Sequence, residues 1–398
     1  MLDEQEKKLG KWITALASLL AFMGIGIVDP LLPSIAANIG ATHSQVEMLF
    51  TAYIFTMAIM MIPIGIVAGR LGDKRLIVMG LFIVTIFALL CGFSDSITAL
   101  SIFRAGWGFG NAMFLATAMT MLIGLSITPS HAIGLYEAAM GLGMAFGPLL
   151  GGILGNISWR YPFYATATLI FIAFLLILFK VKEPDRRVVK KTKQNVPIKQ
   201  MLHLFTHKPF LQIALSGMFY YYCFFTILAY SPLILGLSAI QIGFVFFAWG
   251  LCLALGSAKI SHLLEQYLNP KLILKFSLCI CALILLFLGV IDIRWVDICL
   301  IILSGLVLGV NNALFTTTVM EHSPHERSIT SGAYNFVRWL GAAFAPLMSG
   351  LISEMFGANI PFIVAAVLCI AAIALLFLKI KPIEEKVKDK IHSIHQAS

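Results

Sequence analysis

Twelve apolar stretches, each long enough to cross a lipid bilayer as a helix, follow one another along the chain, and no other feature narrows its possible folds as far. A spanning helix needs roughly 20 mainly apolar residues. Cutting the sequence at its polar and turn-rich gaps gives 12–37, 46–69, 76–94, 97–124, 132–156, 161–182, 209–231, 240–263, 271–291, 296–319, 329–353 and 359–379. Within lipid each segment must satisfy its own backbone hydrogen bonds, so each run predicts a helix and the fold class is all-α integral membrane. Composition agrees: the chain is 60% hydrophobic and 12% charged, against roughly 45–50% and about 25% in ordinary soluble domains.

A net charge of +9 would point to nucleic acid only if the basic residues shared one folded face. They lie instead in short gaps between apolar runs, so the expected partner is the lipid bilayer and no nucleic acid. With alternate gaps assigned to opposite sides, nearly all of the 28 Lys and Arg fall on one side. The other side keeps only Arg160 and Arg294, while Arg104 and Arg338 lie inside runs. This bias predicts cytoplasmic N- and C-termini, which an even number of spans allows. The first run is too long for a signal-peptide core and lacks a small-residue cleavage site, so it reads as an uncleaved span. All seven Cys lie in apolar stretches, and the nine His fall in gaps, tails or, for His262, at the very end of a run, without ligand spacing. No disulfide framework, metal or cofactor is expected.

The longest gap, "KVKEPDRRVVKKTKQNVPIKQMLHLFTHK", is basic and divides the spans six and six. It predicts an N-terminal six-helix bundle at 1–183, a linker at 184–208, a C-terminal six-helix bundle at 209–380 and a tail at 381–398. The halves repeat weakly but in order. Asn111 to Phe114 fall on Asn312 to Phe315, Tyr136-Glu137 on Tyr334-Asn335, Gly143 on Gly341, Pro148 on Pro346 and Gly152 on Gly350. Asp29-Pro30-Leu31 falls on Ser231-Pro232-Leu233, so the second half keeps the shape and drops the acids.

Four motifs carry a resemblance. Gly24 with Pro30 and Pro33 fits G-x5-P-x-x-P in the first span; Leu100, Arg104, Gly108, Gly110 and Ala112 fit L-x3-R-x2-Q-G-x-G-x-A in the fourth, with Trp107 in the Gln place. In the fifth, "GMAFGPLLGG" holds Gly143, Gly147, Pro148, Gly151 and Gly152 and fits G-x3-G-P-x2-G-G throughout. After the second span Gly65, Arg70, Gly72 and Lys74 fit a fourth pattern, G-x3-D-R-x-G-R-R, but Gly69 stands in the Asp place and Asp73 is displaced along the loop. By these residues the chain resembles the major facilitator superfamily, in its twelve-span drug:proton antiporter branch of bacterial multidrug efflux type. The resemblance implies two pseudo-symmetric six-helix bundles with a substrate site between them. It also implies a multi-pass protein of the bacterial cell membrane, powered by the proton motive force. In the family the missing Asp helps to latch the cytoplasmic side, so a latch here must work differently.

The residues themselves suggest chemistry. A charged side chain at the centre of a span costs about 2.5–3.5 kcal/mol even on the lenient insertion scale, so such groups usually face a cavity. Asp29 lies about 15 Å from the outer end of its span and Arg104 about 10 Å from that of its own, at 1.5 Å per residue. Similar depth makes them partners in proton binding; the alternatives are a purely structural ion pair or an Asp close enough to the outer edge to be hydrated. Glu137, near the cytoplasmic end of the fifth span, is either a coupling acid or a hydrated surface acid. Arg338, near mid-depth in the eleventh span, keeps an anionic or zwitterionic substrate open. Tyr221 and Phe225, with Asn335, are substrate-cavity candidates, although aromatics facing lipid or core are commoner. The span-five glycines, without Cβ atoms, permit close helix approach, and Pro148 removes a backbone hydrogen bond.

The function expected is proton-coupled efflux of small amphipathic compounds by alternating access, in a functional monomer. A proton-coupled symporter or facilitator for a small metabolite, such as an organic acid or sugar, shares the fold and remains the alternative. An intramembrane enzyme would need a convergent catalytic set, and no His lies in the interior of a span. No catalytic residue is expected, and a receptor would not account for matched halves.

Overall fold

The computed structural model describes residues 3–183, 203–324 and 327–378. Most of the basic gap, residues 184–202, and the tail from 379 onward lie outside the described residues. Among the described residues twelve spans are long and apolar enough to cross a membrane, and no strand occurs.

The first span is α1 (Glu4–Gly26), a 3-10 turn (Asp29–Leu31) and α2 (Leu32–Ile39). Then come α3 (His43–Leu71), α4 (Asp73–Phe93), α5 (Ile97–Leu125), α6 (Pro129–Gly155) and α7 (Tyr161–Lys180). The seventh span is α8 (Lys208–Phe225), a π turn (Thr226–Tyr230) and α9 (Ser231–Ile234); the eighth is α10 (Ala239–Leu255), a π turn (Gly256–Ile260) and α11 (Ser261–Glu265). The rest are α12 (Pro270–Val290), α13 (Arg294–Glu321), α14 (Arg327–Phe356) and α15 (Ile360–Phe377). The even count puts the start of α1 and the end of α15 on one face, called here the termini face; the opposite one is the far face.

The first helix starts eight residues earlier than its apolar run predicts. Asp3 accepts from the Glu4 N–H at 2.7 Å while Glu6 accepts from the Asp3 N–H, a reciprocal cap that nucleates a polar turn ahead of the lipid-soluble part. Glu6 also pairs with Lys182 at 2.6 Å, pinning the start of α1 to the chain just after α7. The span fits within a few residues elsewhere, because apolarity sets the buried length and capping residues set only the ends. Many large apolar side chains, among them Phe82, Phe276 and Val367, are exposed on the outside of the bundle, as a lipid-facing surface requires.

Helices α1 to α7 pack on one another, as do α8 to α15. Two helix pairs, α6 with α10 and α3 with α14, make the broadest contacts between the sets, and α2 with α9 adds a smaller one. In each set a glycine lets one span reach the backbone of the first span of its own half. A Cβ on Gly143 would lie 2.5 Å from the Leu19 carbonyl oxygen, and one on Gly341 would lie 2.1 Å from that of Met218. The matched positions of the repeat therefore do matched work.

Candidate functional site

The first span breaks at the acid. Helix α1 ends at Gly26, Pro30 enters the 3-10 turn at its start, and Asp29 opens that turn at mid-chain of the span. Asp29 is fully buried and neither carboxylate oxygen has a hydrogen-bond partner among the described residues. Its Oδ2 would lie 3.4 Å from a Cβ on Gly26, and the same Cβ would lie 3.0 Å from Pro148 Cδ. Asp29 and Pro148 of α6 thus flank the same side of Gly26. Ser231 occupies the matching break in the seventh span, after the π turn, and its hydroxyl is likewise buried and unpartnered.

Arg104 does not form the ion pair with Asp29 that equal depth suggests. The guanidinium is fully buried; its Nη1 donates to the Gly24 carbonyl and its Nε to that of Leu49, each at 3.4 Å. It lies over the rings of Tyr53 and Trp107, 4.2 and 4.8 Å from their centroids. Carbonyls of α1 and α3 take two of its donors, while the 3-10 turn that carries Asp29 packs on α6. The two remain within electrostatic range. A desolvated cation–π contact supplies roughly 2 kcal/mol, so the aromatic pair in part replaces the missing carboxylate.

Sequence reasoning passed over Glu47. It too is fully buried with both carboxylate oxygens unpartnered, and it stands within electrostatic range of Asp29. At the edge of an apolar run it reads as a surface residue. The signal lay in Thr42 and Gln45, whose reciprocal cap starts α3 at His43 and so carries Glu47 into the second turn.

The glycine motif of α6 splits between two faces. Cβ atoms on Gly147 and Gly151 would lie 2.6 and 2.2 Å from the carbonyl oxygens of Met23 and Ile27, within the first half. On Gly152 a Cβ would lie 2.5 Å from the Ala239 carbonyl oxygen and 2.9 Å from Gly243 Cα, across the halves. The second seam pairs Ser44 N–H with Glu354 at 3.0 Å and Thr51 Oγ1 with the Ala343 carbonyl at 3.2 Å; a Cβ on Gly350 would lie 2.5 Å from Ser44 Cα. These contacts close the far-face half of the interface. Further toward the termini face the same seam continues: a Cβ on Gly250 would lie 2.6 Å from Ala145 Cα, and one on Gly141 would meet Ala254 at 3.7 Å.

In the second half the structure gathers Tyr221, Phe225 and Arg338. Tyr221 and Phe225 sit 5.7 and 5.8 Å from the Trp339 ring, and Arg338 lies 4.9 Å from Tyr221 and 5.2 Å from Tyr334. Asn312 Oδ1 accepts from the Tyr221 hydroxyl at 3.0 Å and from Arg338 at 3.4 Å. Asn335 is half-buried on α14, one turn before Arg338.

Of the loop motif, Gly72 joins α3 to α4 with φ 95°, in the region that favours glycine. The Asp73 N–H donates to Glu183 at 3.1 Å and Lys74 donates to the Leu178 carbonyl at 3.0 Å, so both hold the end of α7 in their own half. The side chains of Arg70 and Glu137, like the surroundings of Gly65, lie outside the described residues.

Two repeated six-span halves joined along two seams, with a buried acid at the break of the first span, are the architecture of a membrane transporter. The model of the Major Facilitator Superfamily matches residues 14–346, and the chain belongs to that family. It is a multi-pass protein of the bacterial plasma membrane. The Multidrug efflux protein YfmO of Bacillus subtilis is 40% identical over 92% of each chain. Quinolone resistance protein NorA of Staphylococcus aureus is 31% identical over 48% of this chain and 50% of its own. Among solved structures, a bacterial homologue of the human lysosomal transporter Spinster, inward-facing and unoccupied, superposes with a TM-score of 0.78 at 17% identity over 94% of this chain and 97% of its own. A D-xylose-proton symporter gives 0.77 at 13% identity over 93% and 97%.

Proposed function

We propose that the protein exports small amphipathic compounds in exchange for protons, with the termini face in the cytoplasm and Asp29 as the proton-binding residue. The observation that carries the coupling is Asp29, fully buried and unpartnered at the break of the first span. An ionised carboxylate is too costly in such a place, so the acid holds its proton while the far face is closed. Opening the far face admits water and lets the charge state follow the outside pH. Efflux rests on the 40% identity to a protein named as a multidrug efflux protein over nearly the whole of both chains. The Lys and Arg bias supports the orientation.

The substrate would enter between the halves from the termini face and meet the aromatic surface of Tyr221, Phe225 and Trp339, with Arg338 and Asn335 beside it. Each half would turn as a body against the other, joined through the expected linker at 184–208, the monomer being the working unit. One charge crossing 100 mV releases about 2.3 kcal/mol, more than a tenfold gradient requires.

Purified protein in liposomes under an imposed pH gradient tests this. Cationic, neutral and anionic amphiphiles are expected to dissipate the gradient, and Asp29→Asn is expected to abolish that while still binding compound. If no compound moves protons in the parent, antiport is wrong. Solute and protons moving in the same direction would establish symport instead.

A further inference from the structure

We propose that Glu47 is a second proton-binding residue, and that its protonation is the condition for closing the seam between α3 and α14 on the far face. The proposal rests on the alternating-access reading above, but not on the direction of transport.

Residues 44, 47 and 51 form one stripe of α3. Ser44 and Thr51 each bond to α14 of the opposite half, at Glu354 and at the Ala343 carbonyl. Glu47 lies between these two contacts, fully buried, and among the described residues no donor reaches either carboxylate oxygen. Asp29 of the 3-10 turn, Tyr222 of α8 and Tyr230 of the π turn lie within electrostatic range of it. Arg104 of α5 acts on Asp29 and is held by two carbonyls and two rings. Glu354 of α14 is engaged by the Ser44 N–H, with His43 close by.

A fully buried position with no donor among the described residues admits the carboxylic acid and excludes the carboxylate, because an ionised group would lose its hydration with nothing in return. When α3 and α14 part at the far face, water reaches Glu47, the O–H bond breaks and the proton passes to that water. Closure requires the proton back. The closed state therefore holds one more proton at this site than the open one, and the open-to-closed ratio rises with pH by at most about tenfold per unit for one linked proton. Asp29 shares the neighbourhood, so the two acids titrate as a coupled pair.

Spin labels on Ile157→Cys and Phe356→Cys, far-face positions in opposite halves that are 70% and 67% exposed, report the opening. The exposed Cys279 and Cys299 are replaced by Ser, and vesicles are equilibrated to the same pH on both sides. The parent is expected to show a long-distance population growing with pH. Glu47→Gln, neutral at every pH, is expected to stay closed throughout and to melt at or above the parent temperature; Glu47→Asp is expected to restore the pH response. A Glu47→Gln protein that keeps the parent's pH response, or that is destabilised or fails to fold, overturns the proposal. So does a response abolished by Asp29→Asn and untouched by Glu47→Gln. If the seam responds as described while no compound dissipates a pH gradient, the Glu47 switch stands and the antiport reading alone falls.

Discussion

Arg104 and Asp29 illustrate how a buried charge is accommodated without a salt bridge. The guanidinium bonds two helix carbonyls and stacks on Tyr53 and Trp107, whose faces take the place of a carboxylate. Lysine carries the same charge but neither the planar fork nor the stacking surface. Arg104→Lys is therefore expected to lower stability by about 2 kcal/mol and to reduce the melting temperature in detergent. An unchanged melting temperature would mean that the rings contribute nothing. Asp29, by contrast, gains no bond from the fold, and its symmetry mate Ser231 fits the same kind of break without a charge. Isosteric Asp29→Asn should fold normally, which makes it a clean probe of coupling.

At the scale of the helix, α6 divides its glycines between two tasks. Gly143, Gly147 and Gly151 seat the helix on the first span of its own half, whereas Gly152 meets α10 across the interface. Added methyl groups should separate these tasks. Gly147→Ala forces a Cβ against the Met23 carbonyl and is expected to cost about 1–3 kcal/mol of stability. Gly152→Ala meets Ala239 and Gly243 on a surface that must part during transport, so it is expected to favour the far-face-open state with a smaller loss of stability. Thermal melting and the spin-label distance described above measure the two effects. Equal melting losses, with no change in distance for Gly152→Ala, would show that the helix works as a single packing unit. The run "GMAFGPLLGG" was legible in the sequence as a close-packing motif, yet which glycine faces which neighbour was not. Both faces consist of the same residue type, and only the placement of α1 and α10 tells them apart.

For the whole molecule, the two seams on the far face join halves that repeat one another. The pairing of Gly152 with Gly350 in the aligned halves proves meaningful: each crosses to the opposite half, one onto α10 and the other onto α3. If the halves rock about a central site, fastening one seam should stop turnover without unfolding either bundle. Thr51→Cys with Ala343→Cys, bridged by a flexible thiol reagent with a cleavable disulfide, is expected to abolish transport while compounds still bind from the termini face. Reduction should restore activity. Continued turnover in the bridged protein would mean that the α3–α14 seam stays shut during the cycle.

By itself the sequence determined the twelve spans, their lipid-facing surface, the repeat of the two halves and the isolation of Asp29 in an apolar run. Apolar length and backbone hydrogen bonding leave a membrane chain few alternatives, so those features follow from residue type and spacing. Tertiary structure decided the rest. It left Asp29 and Arg104 close but unbonded, because the Gly24 and Leu49 carbonyls take the guanidinium donors instead. It also carried Glu47 from the edge of an apolar run into a sealed seam, since burial there depends on a helix from the opposite half, nearly three hundred residues further along the chain.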